Sequence, residues 1–73
     1  MDEPKRGDAL THPNHVHFIH IEAMIKRLGN GRFIVSTMPG YICVCERDSA
    51  FDNPSRKAWR FVPISIPEGY LND

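Results

Sequence analysis

No apolar run in this chain approaches the roughly 18 residues that a membrane-spanning helix needs. Met1-Asp2-Glu3-Pro4-Lys5-Arg6 also lacks the apolar stretch of a secretory signal, so a cytoplasmic protein without membrane contact is expected. No glycine-rich phosphate loop precedes a helical pattern, and Gly29-Asn30-Gly31 has neither the length nor the lysine of a P-loop. The acids fall in the end segments and in one polar loop, where solvation is the default. Neither a nucleophile with its base nor a carboxylate pair in a cleft is expected, so no catalytic residue is assigned. Cysteine is scarce: Cys43 and Cys45 stand two apart, which in a strand puts their α-carbons roughly 6.6 Å from each other, at the far edge of disulfide geometry. In a reducing cytoplasm both are expected as thiols.

A chain of 73 residues makes one domain. At this size folding buries only about 60% of the surface that the unfolded chain exposes, so the core is marginal and a structural metal would be one remedy. His12, His15, His17 and His20 join the two cysteines as candidate ligands. Structural zinc sites use cysteine pairs spaced by two to four residues so that a loop can wrap the ion, and a Cys-x-Cys pair in a strand offers both sulfurs on one face without that wrap. The thiols therefore read as small core hydrophobes and the histidines as solvated, with no metal or other cofactor expected.

Charge is absent in sum but not in layout. Between Lys26 and Arg60 seven bases (Lys26, Arg27, Arg32, Arg47, Arg56, Lys57, Arg60) face three acids (Glu46, Asp48, Asp52), a local charge of +4, and the two ends carry −2 each. A basic middle suits nucleic acid or an acidic protein surface, while a net charge of zero argues against the broad basic field of a dedicated DNA binder.

Residues 1–14 are mostly polar and charged, with Met1, Ala9 and Leu10 the apolar members, and are expected to form a mobile tail. The segment from Val16 to Leu28 fits two periods. As a helix it would align Phe18, Ile21, Ile25 and Leu28 on one stripe. As a strand it would place Ile19, Ile21, Ala23 and Ile25 on one face, with Met24 as the exception on the other. The glycines and asparagine of Leu28-Gly29-Asn30-Gly31-Arg32 lead into the β-rich Phe33-Ile34-Val35-Ser36-Thr37 and favour a hairpin. With Gly29 and Asn30 as its two-residue loop, Ile25 would face Ile34, Ala23 would face Ser36 and Ile21 would face Met38. Pro39-Gly40 is a second turn. Tyr41-Ile42-Cys43-Val44-Cys45, apolar on both faces, reads as a covered central strand. After a polar loop from Arg47 to Lys57, Ala58-Trp59-Arg60-Phe61-Val62 forms the last strand, and Pro63 at its end marks it as a sheet edge. The expected fold is mainly β: a small antiparallel four-stranded meander, or an incomplete OB- or SH3-like barrel, over residues 15–66. Mobile tails are expected at 1–14 and 67–73.

The candidate binding residues are Arg56, Lys57, Trp59, Arg60 and Phe61, joined by Arg32 at the hairpin. Strand alternation sets Trp59 and Phe61 against Arg60, and tryptophan and arginine are the side chains most enriched at binding hot spots. Aromatic residues among bases also suit single-stranded nucleic acid, and Trp59 and Phe61 have a plain alternative as core.

Residues 21–35, the Gly-Tyr turn into Ile42-Cys43-Val44-Cys45 and the later Arg56-Lys57-Ala58-Trp59 resemble the OB-fold of the translation initiation factor 1 type. That resemblance implies a Leu-Gly-Asn-Gly hairpin and a basic loop that meet ribosomal RNA. In length, short tails and lack of site chemistry, the whole chain is similar to the small phage-encoded regulators of host RNA polymerase, of the Xanthomonas phage type. This second resemblance implies a monomer that binds a large polymerase subunit, interferes with the σ factor at initiation and suppresses termination in the host cytoplasm. The zero net charge favours the protein partner, expected as an extended acidic peptide added to the Trp59 edge, with nucleic acid secondary.

Overall fold

The structure, a computed structural model, describes residues 2–70. Among the described residues the regular elements are strands and one 3-10 turn at Ser49–Phe51. The strands are β1 (Ala9–Thr11), β2 (Ile19–Gly29), β3 (Arg32–Thr37), β4 (Ile42–Arg47) and β5 (Ala58–Val62). They form a closed barrel in which each strand pairs with its neighbour in sequence, antiparallel throughout, and β1 closes the ring by pairing in parallel with β5. The mainly β expectation holds. No described helix is long and apolar enough to cross a membrane.

The hairpin between β2 and β3 forms with its loop one residue later than expected. Asn30 and Gly31 are the two loop residues, at φ 56° and 77°, and Gly29 pairs with Arg32. Positive φ at both loop positions is the primed turn whose twist matches that of the flanking strands, and Asn-Gly is its favoured dipeptide.

Beyond the loop, eleven residues of β2 run against six of β3, and the pairing slips at three places: between Ile21 and Ala23, Met24 and Lys26, and Arg27 and Gly29. Each slip is a bulge that adds twist and bends the strand, which is how a short sheet curls into a ring. The first bulge also inverts the faces. Ile19 and Ile21 point inward as expected, but Ala23 and Ile25 are exposed and Met24, the apparent exception, packs on the core. Of the expected cross-strand pairs only Ala23 with Ser36 is formed, since Lys26 takes the place opposite Ile34 and Thr37 that opposite Ile21.

The interior holds Leu10, Ile19, Ile21, Phe33, Val35, Cys43, Cys45 and Trp59, with Met24, Tyr41 and Phe61 packed at its margins. A second, outer cluster of Ile34, Val44 and Val62 lies on the opposite face of β3, β4 and β5, covered by Leu28 and by Ile66 from the segment after β5. The two clusters explain why β4 reads as apolar on both faces.

Two expectations are corrected. The segment expected as an N-terminal tail supplies β1, with Ala9 and Leu10 fully buried, because backbone bonds tie it on both sides: Gly7 N–H donates to the Ile21 carbonyl and Ala9 N–H to the Lys57 carbonyl. As a result β5 is paired along both sides, by β1 and β4, and is no edge strand. Of the expected C-terminal tail, residues 71–73 lie outside the described residues, and Tyr70 sits with its ring beneath the Lys26 ammonium.

Candidate functional site

The registers give the barrel two unlike ends. Arg32 pairs with Glu46 and Arg47 with Trp59, so the hairpin loop, the end of β4 and the start of β5 share one mouth. Thr37 and Tyr41 lie at the other end, joined by the turn through Gly40.

At the first mouth a pocket of about 620 Å³ opens between the hairpin and the N-terminal segment. Phe33 and Trp59 form its apolar wall, their rings edge to face with centroids 5.6 Å apart. Arg27, Arg32 and Arg47 bring three guanidinium groups to it, and Asp2 and Glu3 bring two carboxylates. Glu3 pairs with Arg27, and Asp2 accepts from Arg47 Nε at 3.0 Å and from Lys57 Nζ at 2.6 Å. Arg32 has no side-chain ion pair or hydrogen bond among the described residues.

Arg47 is the organising residue, and nothing in the sequence had singled it out. It grips both oxygens of Asp52 at 2.5 and 2.6 Å, donates to the Ala58 carbonyl at 3.1 Å and lies over the Trp59 ring at 5.6 Å. The paired guanidinium holds the Asp52 carboxyl down at about 2, and Lys57, joined by Arg47, lowers that of Asp2. The proton of Arg47 itself is held still more firmly, chiefly by Asp52. Asp52 also accepts from the Ala58 N–H, so this one contact fixes the β4–β5 loop to the start of β5.

Trp59 is buried, and its indole N–H donates at 3.0 Å to the carboxylate of Asp8, itself buried just before β1. It therefore belongs to the core wall and reaches the pocket from there. The structure brings Arg32, Trp59 and, through Asp2, Lys57 to this mouth. The other three candidates lie elsewhere. Arg60 is exposed and paired with Glu46 at 2.9 Å. Phe61 lies at the far end, 4.9 Å from the His12 ring. Arg56 stacks over Phe18 at 5.2 Å with one guanidinium nitrogen buried and unpartnered.

The far end is closed by rings. His12 stacks on Tyr41 with ring centroids 4.4 Å apart and planes nearly parallel, and His15 hydrogen-bonds the Tyr41 hydroxyl at 3.2 Å. Burial, helped by His15, keeps His12 below its ordinary pKa and so favours the neutral ring. Cys43 and Cys45 are free and face the interior, and burial pushes the Cys45 thiol up to about 12, which suits an inert packing group rather than a nucleophile.

No family model matches the chain, and neither a curated protein nor a solved structure matches it.

Proposed function

We infer that this barrel is a small non-catalytic regulator of the phage type, acting as a monomer in the bacterial cytoplasm. It binds RNA polymerase through a large subunit, hinders initiation at the σ factor and suppresses termination. The observation that supports a protein partner over nucleic acid is the fate of the basic middle. Of its seven bases, Arg27, Arg47, Lys57 and Arg60 are each paired with one of the chain's own acids. Nucleic-acid binders instead leave such charge open to phosphates, whose neutralisation supplies most of their affinity. Four internally neutralised bases leave a mixed surface, where complementarity to a protein gives register and specificity.

The competing reading is an RNA-binding module of the initiation factor 1 type. In its favour, Leu28-Gly29-Asn30-Gly31 does form a hairpin tip flanked by Arg27 and Arg32. Against it, the strands follow one another in simple sequence order, whereas an OB barrel is a Greek key. Binding to purified bacterial RNA polymerase, core and σ holoenzyme, and to a single-stranded RNA, each over a range of salt, separates the two. The polymerase reading expects binding that changes little with salt together with a loss of promoter-initiated transcripts. Affinity for RNA alone, falling steeply with salt, would replace it.

A further inference from the structure

We propose that the pocket at the arginine mouth is a docking site for a short acidic peptide segment of the partner, which binds in place of the chain's own Asp2 and Glu3. The proposal rests on the protein-partner reading and names the surface used. The template for the ligand is already seated there. Two adjacent carboxylates meet Arg27, Arg47 and Lys57, and three arginines around the pocket against two acids leave Arg32 with no acid of its own.

The seated segment is exchangeable. Its carboxylates are 28% and 47% exposed and their arginine partners 63% and 25%, so water competes for every one of these contacts. The pocket is also larger than two carboxylates require, and its wall is the apolar pair Phe33 and Trp59. Its rim at Gly29 and Gly31 carries no side chain, and a methyl group at either would meet nothing within 4 Å. An acidic pair followed by an apolar side chain would use both the charges and the wall, which Asp2 and Glu3, followed by a proline buried elsewhere, do not.

Trp59 is the single tryptophan, with Arg47 over its ring, so its fluorescence reports on the mouth. The test titrates the full chain, its Asp2→Asn/Glu3→Gln double variant, and that variant carrying Arg32→Glu, with a blocked peptide Phe-Asp-Glu-Phe. Its uncharged analogue Phe-Asn-Gln-Phe and a single-stranded RNA of ten nucleotides are the controls. Removing a tethered competitor should raise peptide affinity about five-fold or more. Adding Arg32→Glu should then lower it about ten-fold through like-charge repulsion, with thermal midpoint and circular dichroism unchanged. Equal affinity of parent and double variant, equal binding of the uncharged analogue, or a preference for the RNA overturns the site. The same variants tested on RNA polymerase keep the two readings apart. Peptide capture without polymerase binding supports the site and removes the polymerase assignment. Polymerase binding that survives Arg32→Glu overturns the site and leaves that assignment standing.

Discussion

The two ends of the barrel are closed by different physics. At one, His12, Tyr41 and Phe61 pack ring on ring, and His15 ties down the tyrosine hydroxyl. At the other, charged side chains from four separate segments meet across partly solvated gaps. Ring packing excludes water and is indifferent to salt, while exposed ion pairs contribute little and are screened. The aromatic end is therefore closed in a way that salt does not touch, and the arginine end, organised around Arg47 and Asp52, is the one proposed to exchange partners.

The sharpest way to break this contrast is at Trp59, which belongs to the core although it walls the exchangeable mouth. Trp59→Ala should cost about 3–5 kcal/mol in chemical denaturation, because it removes the largest interior side chain and leaves the buried Asp8 carboxylate without its indole donor. A loss below about 1 kcal/mol would mean that Trp59 is not a core residue. Next in size, Tyr41→Ala should cost about 2 kcal/mol and do so equally in low and high salt, since it removes a half-buried ring and its stack on His12. A strong salt dependence there would erase the difference between the ends.

The strand pattern was legible because its signals are local. Gly29-Asn30-Gly31, Pro39-Gly40 and the runs at 33–37, 41–45 and 58–62 specify turns and strands within a few residues of themselves, although the hairpin loop forms one residue later than expected. The closing strand was not. Ala9-Leu10-Thr11 is too short and too polar in its surroundings to show a period, and it is buried only because β2 and β5 flank it on either side. Bulges are equally silent, so a strict period of two set Ala23 and Ile25 inward when the backbone had already turned Met24 to that face. For the site, the sequence pointed to the right residue types in the basic middle. It missed that Asp2 and Glu3 neutralise Arg47, Lys57 and Arg27, because ion pairs between residues as far apart as 45 and 55 positions leave no pattern in sequence.

A smaller effect follows from His12. Its folded pKa lies below the ordinary 6.5 because burial disfavours the charged ring. The unfolded chain then takes up a proton more readily than the native one. The stability that His12 contributes should be full above about pH 6.5 and should decline as pH falls from there towards the folded value. His12→Phe, which keeps a ring on Tyr41, should flatten that decline even though it loses the acceptor for the Asn14 N–H. An unchanged slope would assign the titration to another histidine.

The smallest effect on stability is expected at two residues whose loss should raise peptide affinity. Asp2→Asn/Glu3→Gln removes the pairs to Arg27, Arg47 and Lys57, but Arg47 keeps its two-oxygen grip on Asp52 and its bond to the Ala58 carbonyl, so the β4–β5 loop stays fixed. β1 is held by backbone bonds to β2 and β5 that neither substitution touches. The thermal midpoint should therefore match the parent within error, at low as well as high salt. Trp59 emission and amide exchange of Glu3, Lys5 and Arg6 should change, because the segment in front of β1 has lost its charged anchors. If the double variant instead melts well below the parent, Asp2 and Glu3 hold the barrel shut. Both ends would then be structural, and the mouth would have no exchangeable segment to give up to a partner.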